Sequence, residues 1–184
     1  MNIRVITAIA AAALATSAYA ADPVGVVSTP GISFGEYTGS MPVGVGQVET
    51  DELFYIDEQT GPLGKSWYIF FDPQGGKTVN ATITFDAPIT GVFSTKTDLD
   101  ASNATYGATG ITYGTSRYIG LESPTDWFAY TPGSNQMTIH FTALDPGDDI
   151  RVFTSPVPEP GTYALMAAGL AAFGALKLRR SRKG

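Results

Sequence analysis

The chain has 184 residues, no cysteine, and a formal net charge of −6 from 17 acidic and 11 basic side chains. The lack of cysteine excludes disulfides, a thiol nucleophile and every cysteine-based metal site. The acidic balance also disfavours nucleic acid as a partner, because affinity for phosphates depends on Lys and Arg.

The N-terminus has the features of an export signal. Arg4 precedes an apolar run over residues 5–14, and Ala18 and Ala20 then follow with the spacing that a signal peptidase accepts. We therefore predict a secretory signal peptide over residues 1–20, with cleavage after Ala20.

Residues 21–155 are enough for one domain with a hydrophobic interior. They contain sixteen Asp and Glu against five Lys and Arg, a net charge of −11, whereas residues 156–184 contain one Glu against five Lys and Arg, a net charge of +4. We expect a single acidic domain followed by a basic tail.

Alternation of apolar and polar residues predicts strands in this domain. Val79, Ala81 and Ile83 alternate with polar residues and should point inward, and residues 136–143 repeat the pattern. The apolar run over residues 66–71 predicts a buried strand that ends in a turn. Further strands are expected at residues 32–37, 52–56, 89–95, 111–113, 126–130 and 149–154.

About nine short strands separated by turn residues indicate an all-β domain over residues 21–155. The prediction is a single antiparallel β-sandwich with a jelly-roll-like arrangement, and a closed barrel is the alternative. A short helical turn is expected near residues 98–104, with Asp98 or Asp100 as its cap.

Acidic residues cluster in three predicted loops, where oxygen ligands suit calcium. The strongest candidate is Asp98, Asp100 and Asn103, although turn and cap chemistry explains the same residues. The other acidic candidates are Asp145, Asp148 and Asp149 in one loop, and Glu49, Asp51 and Glu52 in another. Apart from calcium, no cofactor is indicated.

No catalytic residue is predicted. His140 is the single histidine, and alternation places it on the polar face of its strand, while no G-x-S-x-G motif occurs. A glycosidase pair of Asp98 or Asp100 with Glu122 is the enzymatic alternative. Seven aromatic residues have two interpretations, packing in the core of the sandwich or stacking on sugars. They are Trp67, Trp127, Tyr68, Tyr106, Tyr113, Tyr118 and Tyr130.

The C-terminal tail predicts a transmembrane helix at about residues 163–178. Such a helix is about 24 Å long, short of the roughly 30 Å of a bilayer core. The basic residues after it act as a stop-transfer signal and stay cytoplasmic; they are Arg179, Arg180, Arg182 and Lys183.

The last 28 residues, VPEPGTYALMAAGLAAFGALKLRRSRKG, resemble the PEP-CTERM sorting signal of exported bacterial proteins. The likeness rests on Pro158, Glu159 and Pro160, on the apolar segment with Gly169-Leu170, and on the basic end. It implies recognition of Pro158-Glu159-Pro160 by an exosortase. It also implies a transient inner-membrane precursor that moves to the cell surface or extracellular matrix of a Gram-negative bacterium, in a setting of exopolysaccharide and biofilm.

The preceding domain is similar to a group of PEP-CTERM proteins through FDAPITGVFSTKTDLDASNATYG, YIGLES and DPGDDIRVFTS. That similarity assigns no activity. The combined expectation is a structural or adhesive protein of the envelope or matrix, associated with polysaccharide and not an enzyme; the alternative is a secreted hydrolase of matrix polysaccharide.

Overall fold

The computed structural model describes residues 20–122, 124–156 and 169. The predicted signal peptide before Ala20, the Pro158-Glu159-Pro160 motif, the basic residues at 179–183 and the predicted helix at 163–178, apart from Gly169, lie outside the described residues. In the part of the chain that is described, no helix is both long enough and apolar enough to cross a membrane.

Nine strands and one helix lie within the described part of residues 20–156. In chain order they are β1 (Val24–Val27), β2 (Ser33–Glu36), β3 (Glu52–Gly61), β4 (Gly64–Phe71), β5 (Lys77–Thr84), β6 (Ile89–Phe93), α1 (Lys96–Tyr106), β7 (Trp127–Tyr130), β8 (Gln136–Ala143) and β9 (Asp148–Thr154). The prediction of a mostly β domain is confirmed.

The strands form two sheets rather than one closed barrel. One sheet has four strands in the order β1-β5-β8-β7, and the other has five in the order β2-β3-β4-β9-β6. Strands β2 and β3 are parallel, whereas every other pair is antiparallel. The prediction of an antiparallel sandwich therefore holds for every strand pair except β2 and β3, and the jelly-roll-like arrangement stays a prediction.

The main core lies between the two sheets. Strand β5 contributes Val79 and Ile83, strand β8 contributes Ile139 and Phe141, and the five-stranded sheet contributes Trp67 among others. All five are almost completely buried. The predicted inward faces of β5 and β8 are confirmed, because side chains on a strand alternate between its two faces.

A second core covers the other face of the five-stranded sheet. There Phe54, Tyr68 and Phe70 pack against Leu99 of α1 and Ile119 of a following loop. Strand β4 is buried along nearly its whole length for this reason. The continuous apolar run at residues 66–71 reflects a strand covered on both faces. The four-stranded sheet leaves its outer face to solvent.

Three local predictions need correction. The helical turn is an eleven-residue helix, α1, and its N-cap is Thr95, whose hydroxyl accepts a hydrogen bond from the Asp98 amide. Residues 111–113 are not a strand, because only Tyr113 forms an isolated bridge. Strand β1 was missed, because its four-residue run Val-Gly-Val-Val has no polar alternation.

A carboxylate cluster and a polar sheet face as candidate functional sites

Three acidic side chains that are distant in sequence meet at one end of the sandwich. Glu122 lies in the loop before β7, Asp126 directly precedes β7, and Asp148 begins β9. One carboxylate oxygen from each lies within 4.8 Å of the other two. We call these three residues the carboxylate cluster.

A tight turn holds two members of the cluster. The carbonyl of Glu122 accepts hydrogen bonds from the amides of Thr125 and Asp126, both at 3.1 Å. Oδ1 of Asp126 accepts from the Thr142 amide on β8 at 2.6 Å, and its Oδ2 accepts from the Thr125 hydroxyl at 2.8 Å. The Asp126 carboxylate is therefore fixed from both sides.

Two glycines let the chain approach closely enough to place the acids. Gly147, with φ of 92°, precedes Asp148, and a Cβ on it would lie 2.5 Å from the Phe71 carbonyl. Gly120, with φ of 106°, precedes the Glu122 turn, and its Cβ would lie 2.6 Å from the Ser94 carbonyl. Any other residue would clash with the backbone and strain φ at either position.

The interior member of the cluster is a buried acid, Asp148, whose side chain contacts that of Glu122. Asp148 is 1% exposed, and its Oδ2 atom has no hydrogen-bond partner among the described residues. Burial, and then the nearby carboxylates of Asp126 and Glu122, together raise the pKa of Asp148 to about 8. Burial and then Asp126 also raise the pKa of Glu122. Among the described residues, no Lys or Arg forms a salt bridge with any of the three acids.

A cavity of about 510 Å³ borders the cluster. Glu122 and Asp126 line it together with Tyr118, Thr142 and Asp145. Small ions and water that enter the cavity can therefore reach the carboxylates of Glu122 and Asp126. Carboxylate oxygens of this kind are ligands for hard divalent cations.

The residues predicted to bind calcium lie on α1 and have protein partners. Asp98 Oδ2 accepts from the threonine hydroxyl that caps the helix at 2.8 Å, and Asp100 Oδ2 accepts from Lys96 Nζ at 2.6 Å. Asn103 Oδ1 accepts from Arg151 Nη2 at 2.9 Å. The calcium site at these three residues stays a prediction. The alternative hydrolase pair joined Glu122 to Asp98 or Asp100, but the acids that lie next to Glu122 are Asp126 and Asp148.

Arg151, on β9, is fully buried beneath α1. Its Nε and Nη2 donate to the two carboxylate oxygens of Glu58, both at 2.7 Å, and Nη1 donates to the Leu99 carbonyl at 3.1 Å. Nη1 also donates to the Ser102 hydroxyl. We call Arg151, Glu58, Ser102 and Asn103 the arginine cluster. Each charge in it is paired, which indicates a structural role.

The outer face of the four-stranded sheet carries an aromatic residue among polar ones. The Trp127 ring on β7 stacks on His140 of β8, with centroids 5.5 Å apart and an interplanar angle of 11°. His140 Nδ1 lies 2.7 Å from Asn80 Oδ1 on β5. These three side chains form one row across three neighbouring strands. Trp127 is 47% exposed.

Hydroxyl and amide groups flank this row. Thr78 and Thr142 are paired across β5 and β8, with their hydroxyl oxygens 3.3 Å apart. Gln136 Nε2 donates to the Thr84 hydroxyl at 3.1 Å on the other side. We call the outward side chains of β5, β7 and β8 the polar face; they are Thr78, Asn80, Thr82, Thr84, Trp127, Ala129, Gln136, Thr138, His140 and Thr142.

The sequence interpretation found parts of both sites. It placed His140 on a polar strand face and named Trp127 as able to stack on sugars, but it did not connect them. It included Asp148 among acidic loop residues, considered Glu122 only as half of a hydrolase pair, and missed Asp126. One signal was available in the sequence: two of the predicted strands, at residues 126–130 and 149–154, begin with an aspartate.

The chain was compared with known families, curated proteins and solved structures. No curated protein and no solved structure matches it. Residues 156–183 match the family model described as the PEP-CTERM protein-sorting motif. That motif implies an exported protein with a membrane-anchored precursor, and it agrees with the resemblance of the Pro158-Glu159-Pro160 tail. The chain therefore carries a PEP-CTERM protein-sorting motif at its C-terminal end, consistent with an exosortase substrate.

Proposed function

We propose that this protein is a structural or adhesive component of the bacterial cell surface or extracellular matrix that binds polysaccharide through the polar face. The export route rests on the sorting motif at residues 156–183. In this proposal residues 1–20 are removed as a signal peptide, and a helix at about residues 163–178 holds the precursor in the inner membrane. The exosortase then acts near Pro158-Glu159-Pro160.

The observation that supports polysaccharide binding is the exposed Trp127 ring in a row with His140 and Asn80. An aromatic ring offers a flat apolar surface to the C–H face of a sugar. The neighbouring hydroxyl and amide groups donate and accept hydrogen bonds, as sugar hydroxyls require. A row of side chains that crosses three neighbouring strands also suits an extended polymer better than a small ligand.

The non-enzymatic role is part of the proposal. Within the described residues, Asp98 and Asp100, the partners considered for Glu122 in a hydrolase pair, have partners on α1 and do not line the cavity at Glu122. A substrate would need direct access to an acid and a second carboxylate. A secreted hydrolase remains the competing function, and release of reducing ends from the bound polymer would support it.

Binding is tested with a panel of bacterial exopolysaccharides and the full chain purified in mild detergent. Trp127→Ala should weaken binding at least about tenfold, which corresponds to about 1.4 kcal/mol. Tyr118→Ala is the matched control, because Tyr118 is exposed to nearly the same degree, 48%, and lies outside the polar face. Equal binding by the two variants would contradict the proposed surface.

Sorting is tested separately in cells that contain an exosortase. Replacing Pro158, Glu159 and Pro160 by alanine should leave full-length protein in the inner membrane, because the recognition element is gone. Fractionation and immunoblotting measure this outcome. Normal release of the variant would refute the assignment of these three residues.

A further inference from the structure

We infer that the carboxylate cluster of Glu122, Asp126 and Asp148 is a calcium-binding site. The three residues supply a carboxylate oxygen each, within 4.8 Å of one another. The three acids are separate from the α1 residues Asp98, Asp100 and Asn103. None of them belongs to the polar face, which touches the site through Thr142, and calcium binding does not depend on polysaccharide binding.

The first support is the buried, unpartnered oxygen of Asp148. A buried carboxylate without a hydrogen-bond or charge partner is unfavourable, so such groups are either neutralised by a proton or paired with a cation. Asp148 Oδ2 is buried and has no hydrogen-bond partner among the described residues, and Asp148 contributes an oxygen to the cluster. A cation between the three acids would compensate the charge that the described side chains leave unpaired.

The second support is preorganisation and access. Asp126 is held by the Thr142 amide and the Thr125 hydroxyl, yet each carboxylate oxygen keeps a further lone pair for a metal. Glu122 is exposed and can adjust to the ion. The adjoining cavity of about 510 Å³ leaves space for water ligands and for entry of the ion.

The ligand type and surroundings favour calcium. Calcium accepts six to eight oxygen ligands in flexible geometry, so three carboxylates completed by water suit it, whereas magnesium requires a near-ideal octahedron with shorter bonds. Residues 21–155 carry a net charge of −11, from sixteen acidic and five basic side chains, which raises the local concentration of cations. Sites of this kind in extracellular modules have Kd values of about 10⁻⁴–10⁻³ M.

The test uses the full chain in mild detergent, stripped with chelator and titrated with calcium chloride. At about 10 mM calcium the Tm should rise by roughly 4–10 °C. Isothermal titration calorimetry should give one site in the stated Kd range. Magnesium chloride should bind at least about tenfold more weakly, because of its stricter geometry. Equal affinity for magnesium would overturn the assignment to calcium, and no Tm shift would overturn the site.

Variants locate the site. Asp148→Asn and Glu122→Gln should each weaken calcium binding at least about tenfold, since each removes a charged ligand. Glu122 is exposed, so Glu122→Gln keeps the test valid should Asp148→Asn fold poorly. Asp98→Asn, on α1, is the matched control and should keep the full Tm shift. Loss of the shift in Asp98→Asn, or its persistence in Glu122→Gln, would refute the proposal.

A measurement without calcium separates metal binding from a purely structural role. In chelator, Asp148→Asn should melt at the same temperature as the parent chain or higher, because the amide replaces a buried acid, one oxygen of which lacks a partner, among two further acids. A lower Tm in chelator together with an unchanged calcium shift would show that Asp148 only supports the fold, and would overturn its role as a ligand.

Discussion

The arginine cluster and the carboxylate cluster each include one residue of β9, yet they differ in how their charge is balanced. Arg151 has its guanidinium hydrogen-bonded to both oxygens of Glu58 and to oxygens of α1. Asp148, three residues earlier, faces two more acids. A buried group whose partners are all in the protein holds the fold together, whereas one whose partner is missing indicates a ligand.

The largest effect on stability is expected at the arginine cluster. Glu58→Gln leaves Arg151 as a buried charge without its counterion, and the free energy of unfolding should fall by about 3–5 kcal/mol. Urea denaturation of the full chain in detergent measures the change.

The neighbouring acid on β3 provides the control for this variant. Asp57 pairs with Lys65 at the surface, and its side chain is 44% exposed. Asp57→Asn should therefore cost less than about 1 kcal/mol. Similar losses in Glu58→Gln and Asp57→Asn would mean that burial does not distinguish the two ion pairs.

The carboxylate cluster should respond to pH in the absence of calcium. The pKa of Asp148 in the folded chain is about 8, above its ordinary value of 3.8, because of burial and of the facing acids Asp126, Glu122 and Asp149. The folded chain then holds a proton that the unfolded chain releases. The contribution of this proton to the free energy of unfolding is complete below the ordinary pKa of 3.8 and is lost as the pH rises through about 8.

In chelator, the free energy of unfolding should consequently increase as the pH falls from about 8 to about 6, by at most about 1.4 kcal/mol per pH unit for each proton bound. Urea unfolding at several pH values gives the slope. Asp148→Asn should have a flatter profile, since its amide does not titrate. An identical slope in that variant would assign the pH dependence to another group.

The smallest effect is expected at the edge of the arginine cluster. Asn103→Ala removes one hydrogen bond to Arg151, which keeps Glu58 as its partner, so the loss should be about 1 kcal/mol. The calcium-induced Tm shift should not change, because Asn103 lies in the arginine cluster. Loss of the calcium-induced Tm shift in Asn103→Ala would instead place the calcium site on α1 and would contradict the separate roles of the two clusters.

Sequence periodicity predicted most strands because the alternation of side chains is a local property. Strands β5 and β8 and their inward residues were predicted correctly on this basis. Strand β1 was missed, and a strand was wrongly predicted at residues 111–113, where only Tyr113 forms a bridge. Such short pairings depend on the partner strand rather than on the pattern of their own residues.

The candidate sites were harder to predict for the same reason. Trp127, His140 and Asn80 form one row only because β7, β8 and β5 are neighbours in the sheet, in an order that differs from their order in the chain. Sequence alone showed a polar face on each strand but not the alignment of those faces.

By itself the sequence determined the sorting motif around Pro158-Glu159-Pro160 and the all-β class, because both depend on consecutive residues. Only the tertiary structure decided that Glu58 neutralises Arg151 across 93 positions of chain and that Glu122 and Asp126 meet Asp148. The energy of a buried charge depends on what surrounds it in space, and those surroundings come from sheet packing rather than from neighbours along the chain.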